Sequence, residues 1–136
     1  MPGPRVFTAV EVDELLPKVE RQFARLDALR AELKALHLRV SALEMIWGAR
    51  VREQDNPDHG ELAHHLAEMK RLQEEFERCT KQVERLGGHV KSTEPALVDF
   101  YGVREGRLVF WCWTRGETRI EHWHHVDEGF TGRQKV

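Results

Sequence analysis

No apolar run in the chain approaches the roughly 18–20 residues that a bilayer-spanning helix needs, which excludes a segment of that kind. Residues 1–16 lack the basic region, apolar core and small-residue cleavage site of an export signal, so a cytoplasmic location is expected. Cysteine is scarce. Cys79 and Cys112 are the two present, and they form neither a Cys-x-x-Cys pair nor a metal-knuckle spacing. Both are expected to be thiols acting as small buried hydrophobes. An excess of one charge sign is also missing: 21 basic residues face 23 acidic ones, for a formal net charge of -2. A dedicated nucleic-acid binder usually needs a basic excess, so DNA and RNA are not expected partners. The chain contains no phosphate-cradling glycine loop, dinucleotide fingerprint or nucleophile elbow. No complete catalytic set is legible, and the leading expectation is a non-enzymatic interaction or scaffold protein.

What is present divides into a helical part and a strand part. Thr8-Ala9-Val10-Glu11 has the spacing of a capping box, and Phe7 with Val12 the spacing of a hydrophobic staple. Pro17 predicts a kink, or a short helix handing over to a longer one. Beyond it Val19, Leu26, Leu33, Val40 and Trp47 recur every seventh residue, with Leu29, Leu36 and Leu43 at the second seam position. This helix is expected to run to about Arg52. The polar, breaker-rich residues 53–60 form a connection. Leu62, Met69, Phe76 and Val83, with Leu72, Cys79 and Leu86, mark a second helix that Gly87-Gly88 stops. Such a short connection predicts antiparallel neighbours, with Trp47 near Leu62.

After Gly88 the period changes. Residues 97–101, 107–113 and 118–124 are rich in aromatic and β-branched types and read as three strands. Turns are expected at Arg104-Glu105-Gly106 and Thr114-Arg115-Gly116. Leu108, Phe110 and Cys112 would share a face with Ile120, His122 and His124, and Trp111 and Trp113 would lie opposite with Trp123. The expected fold class is α+β: a long antiparallel two-helix coiled-coil hairpin, followed by a three-stranded antiparallel β-meander. It is a single domain over 1–136, with the hairpin at about 9–87, the meander at about 96–125 and an irregular closing tail at 126–136. The seam covers one stripe of each helix, and the tryptophan-bearing strands need cover too, so a homodimer is expected, and a protein partner is possible.

The segments Leu97-Val98-Asp99-Phe100, Cys112-Trp113, Gly116-Glu117, Trp123-His124, Gly129-Phe130 and Gly132-Arg133 resemble domain-of-unknown-function family 2203. The start at Phe7-Thr8 with Leu15-Leu16-Pro17 is similar as well, so the resemblance covers nearly the whole chain. It implies a bacterial source and a helices-then-strands order, and it supplies no activity.

The densest chemistry lies between Glu117 and Asp127. Residues two apart in a strand face the same way, so His122 and His124 are expected to point together. Imidazole and carboxylate suit one divalent transition metal, zinc or iron first among them. The candidate ligands are His124, Glu117, His122 and Asp99, with Asp127 a further carboxylate. The competing reading is of half-buried, hydrogen-bonded histidines among ordinary cross-strand pairs. A small metal-dependent enzyme using Glu117, His122 and His124 is the alternative function. Glu61 and His64 have the spacing of di-iron bundles, but a partner motif is missing and they read as solvated helix residues. Cys112 as a nucleophile with a histidine base lacks an oxyanion donor and an orienting group, and reads as core.

Overall fold

The computed structural model describes residues 5–136. Two compact units emerge: one takes in the start of the chain to Ala24 together with Cys79–Val136, the other is Arg25–Arg78. Both long helices pass through both units. Helix α1 spans Ala9–Trp47 and α2 spans His59–Arg85. A five-stranded antiparallel sheet follows, in the order β1-β2-β3-β4-β5. Its strands are β1 His89–Thr93, β2 Ala96–Arg104, β3 Arg107–Thr114, β4 His122–His125 and β5 Gln134–Lys135. The α+β class therefore holds, and the three-stranded meander is corrected to five strands. Among the described residues no helix is long and apolar enough to cross a membrane.

The expected coiled-coil hairpin over about 9–87 needs correction on two counts. The first turns of α1 and the last two turns of α2 belong to the sheet-bearing unit rather than to a separate rod. The first helix also stops at Trp47 instead of running to Arg52. Gly48 takes a φ of +61°, and a 3-10 helix occupies Gly48–Arg52. Pro17 does not divide α1, which runs unbroken through it.

Within Arg25–Arg78, Val40, Leu43, Val51 and Leu62 form a buried cluster on which Trp47 and Met69 pack. The Trp47 indole N–H donates to Asp58 across 2.8 Å, and Arg25 pairs with Glu75. The Asn56 side-chain oxygen accepts the Asp58 N–H at 2.9 Å, which shapes the turn into α2.

In the sheet-bearing unit the capping box forms as expected. The Glu11 N–H donates to the Thr8 hydroxyl at 3.1 Å, and the Thr8 N–H donates to Glu11 Oε1 at 2.8 Å. Helix α2 ends in a Schellman motif. Gly87, at φ +105°, donates to the Glu84 carbonyl, and Gly88 donates to that of Val83. No side chain fits at Gly87, because a Cβ there would lie 2.4 Å from the Phe7 ring.

One face of the sheet is buried by the chain's own helices. Trp113 sits 5.5 Å from Phe23 between ring centroids, and Phe7 meets Phe100 edge-on at 5.6 Å. Val12, Leu16, Val19 and Val83 complete this core. A side chain of this size contributes about 1.5–3 kcal/mol when fully buried. The tryptophan face is thus covered without a second copy of the chain, which removes one of the two reasons for expecting a dimer.

The hairpin between β2 and β3 is tighter than the three-residue loop expected. Arg104 pairs with Arg107, leaving Glu105 and Gly106, both at positive φ, as a two-residue turn of the type I′ class. The third expected strand is also shorter. Residues 118–121 lie outside it, next to a turn whose polar groups are committed elsewhere. Glu117 closes a turn onto Thr114, and the Ile120 N–H donates to Asp13 of α1 at 2.6 Å. The tail is not wholly irregular: it forms a 3-10 turn at Phe130–Gly132 and then β5.

Candidate metal centre on the open face of the sheet

Strand alternation sends Asp99, Tyr101, Phe110, Cys112, His122 and His124 to the face away from the tryptophans. The register fixes their rows: Asp99 opposes Cys112 and Cys112 opposes His122, while Tyr101 opposes Phe110 and Phe110 opposes His124. The expected sharing of a face by Phe110, Cys112, His122 and His124 is met. The four ligand candidates nevertheless do not converge on one point. Asp99, Cys112 and His124 form one group, and Glu117, Glu121 and His122 another, with ligand atoms in each lying within 4.8 Å of one another. Asp127 belongs to neither group.

The first group is buried. Asp99 is 4% exposed, His124 2% and Cys112 2%. His124 has oxygen acceptors at both ring nitrogens. Nδ1 lies 2.8 Å from the His125 carbonyl, which can only accept, so Nδ1 carries a hydrogen. Nε2 lies 3.1 Å from Asp99 Oδ2. Two buried lone-pair groups at that separation require positive charge between them, a proton or a metal ion. A ring N–H held by a carbonyl while the other nitrogen faces outward is also how metal-bound histidines are oriented.

Cys112 is the member that spacing did not assign to the site. Its thiol is pushed up to about 12, first by burial and then by the neighbouring Asp99 charge. That environment opposes formation of a free thiolate nucleophile. The signal for its inclusion was positional: Cys112 stands between Asp99 and the histidine strand in the register.

Above this group lies a recess of about 240 Å³, lined by Asp99, Cys112 and His124 with Leu97, Phe110 and, from the tail, Val126, Glu128 and Phe130. Lys91 stands at its side with Nζ 5.0 Å from the Phe110 ring. The walls are largely apolar and the polar groups gather on the floor, the usual character of a ligand site.

A model of the family described as uncharacterized conserved protein DUF2203 matches residues 5–136, in line with the resemblance carried by the C-terminal segments. No curated protein and no solved structure matches the chain.

Proposed function

The chain belongs to the DUF2203 family of uncharacterized conserved proteins, and from that premise we propose that it is a cytoplasmic metal-binding protein. It holds one divalent transition ion between Asp99, Cys112 and His124. The observation that carries this reading is the 3.1 Å approach of His124 Nε2 to Asp99 Oδ2, with the Nδ1 position already used. A set of one nitrogen, one oxygen and one sulfur suits zinc best among the common ions, with iron next. Three protein ligands leave a fourth position, which would open into the recess. Catalytic zinc sites keep such a position for water or substrate. A hydrolytic activity that disappears in His124→Ala would extend the reading from metal handling to catalysis.

The test is elemental analysis of the untagged protein. About one equivalent of zinc or iron is expected in the wild type, with loss in His124→Ala and Asp99→Asn. Wild-type metal content equal to that of His124→Ala would sink the proposal and leave Asp99 and His124 as a proton-sharing structural pair.

A second reading, an interaction protein that pairs through its helices, is favoured by a different observation. Leu38, Met45 and Ile46 lie on one side of α1 and are 60%, 86% and 69% exposed. A homodimer joined there, coiled-coil or otherwise, predicts a change in light-scattering mass on Met45→Glu with Ile46→Glu. An unchanged monomer mass in both proteins would dismiss it.

A further inference from the structure

We infer that Glu117, Glu121 and His122 form a second, more oxygen-rich cation seat beside the first, so that the open face of the sheet carries a pair of adjacent metal positions. The two positions share no ligand residue, so either can be absent without the other.

Glu117 is fixed in both backbone and side chain. Its carbonyl accepts the Trp113 indole N–H at 2.9 Å, and its Oε1 accepts the Thr114 N–H at 2.8 Å. Oε2 is thereby turned toward His122, whose Nδ1 lies 3.2 Å away. Both side chains are largely buried, at 10% and 19% exposure. Glu121 is exposed and completes the triangle of ligand atoms within 4.8 Å. A carboxylate pre-aimed by a backbone donor is what a cation site needs, since little must be reorganised on binding.

The seat opens onto a second recess of about 510 Å³, lined by Glu121 and His122 with Ile120, Val136, Arg119 and Lys135. Arg119 and Lys135 have long stems that can carry their charges out to water. Two carboxylates and one imidazole, without sulfur, select manganese, iron or zinc rather than a thiophilic ion. Adjacency follows from register: His122 is the direct cross-strand partner of Cys112. Facing side chains of an antiparallel pair stand about 5 Å apart at Cβ. Two ions so placed would be neighbours on one surface.

Cobalt(II) titration of the untagged full chain separates the seats. Only an ion bound by Cys112 gives a sulfur-to-cobalt charge-transfer band in the near ultraviolet. Two equivalents are expected, one with that band and one without. Glu121→Gln, a change at an exposed position that leaves the fold intact, should remove the equivalent that lacks the band and spare the other. His122→Ala should do the same, whereas His124→Ala should remove the band and spare the second equivalent. Manganese(II), followed by the loss of its free-ion electron paramagnetic resonance signal, should bind wild type and His124→Ala alike, and Glu121→Gln at least tenfold more weakly. Equal cobalt and manganese uptake by wild type, Glu121→Gln and His122→Ala would overturn the second seat. Absence of the charge-transfer band with manganese binding retained would strike the first seat and uphold the second.

Discussion

The indole N–H of Trp111 donates to the carbonyl oxygen of Phe7 across 2.7 Å, joining residues 104 positions apart. The Phe7 N–H donates in turn to the Tyr101 carbonyl at 2.8 Å, so both backbone groups of Phe7 are tied to the sheet. Trp111 reaches that position by lying across Gly102, where a Cβ would fall 2.1 Å from its Nε1.

Trp111→Phe keeps the apolar bulk of the ring but deletes the donor, stranding a buried carbonyl. The expected loss is about 1–3 kcal/mol, read as a lower urea midpoint. Gly102→Ala should cost at least as much, because Trp111 must leave its place. A Gly102→Ala midpoint equal to wild type would contradict the packing described.

Glu11 gives a pH signature. The Thr8 backbone N–H, followed by its hydroxyl, holds the Glu11 carboxyl below its ordinary 4.5. A lowered carboxylate stabilises the fold above its unfolded value and loses that contribution as pH falls through the folded one. Wild type should therefore exceed Glu11→Gln in stability at neutral pH, and the gap should close below about pH 4.5. Thermal melts of both proteins from neutral to acid pH check this.

In the metal-free protein the Cys112 thiol makes the alkaline counterpart. An ordinary thiol ionises near 9.0, whereas this one is held to about 12 in the fold. Between those values the unfolded chain loses the proton and the folded chain keeps it. The stability linked to Cys112 is thus complete below about 9 and falls by about 1.4 kcal/mol per pH unit as the pH rises through that window. The wild-type curve should drop more steeply than that of Cys112→Ala, and parallel curves would refute the assignment. Iodoacetamide at mildly alkaline pH should label Cys112 only after unfolding.

Zinc should raise the melting temperature of the wild type by more than that of His124→Ala, which keeps the Glu117–Glu121–His122 group alone. A ligand at a hundredfold excess over its dissociation constant adds about 2.7 kcal/mol. Binding must expel the Cys112 proton, so the gain should grow with pH. An equal shift in both proteins would point to binding elsewhere.

Much of this was legible in the residues. Thr8 and Glu11 announced their cap because a capping box is a local device. Gly87-Gly88 announced the end of α2 for the same reason, and alternation placed Phe110, Cys112, His122 and His124 on one face. What failed depended on distant partners. β1 reads His-Val-Lys-Ser-Thr, too polar to mark as a strand without β2 beside it. β5 is two residues long and exists only by pairing with β4. Residues 118–121 look extended in isolation, yet Asp13 takes the N–H of Ile120. The candidate ligands His124, Glu117, His122 and Asp99 could be singled out from the residues, but their division into two groups follows from the β2–β3–β4 register and from the bonds that turn Glu117 toward His122.

The unit that carries the sheet draws on both ends of the sequence, with Arg25–Arg78 intervening. A ribosome therefore exposes Phe7 long before Trp111 exists to receive it. During that interval the apolar side of the early helix has no strand to cover it. The nascent amino-terminal segment should accordingly be a substrate for chaperones that hold unfolded chains until translation reaches β3.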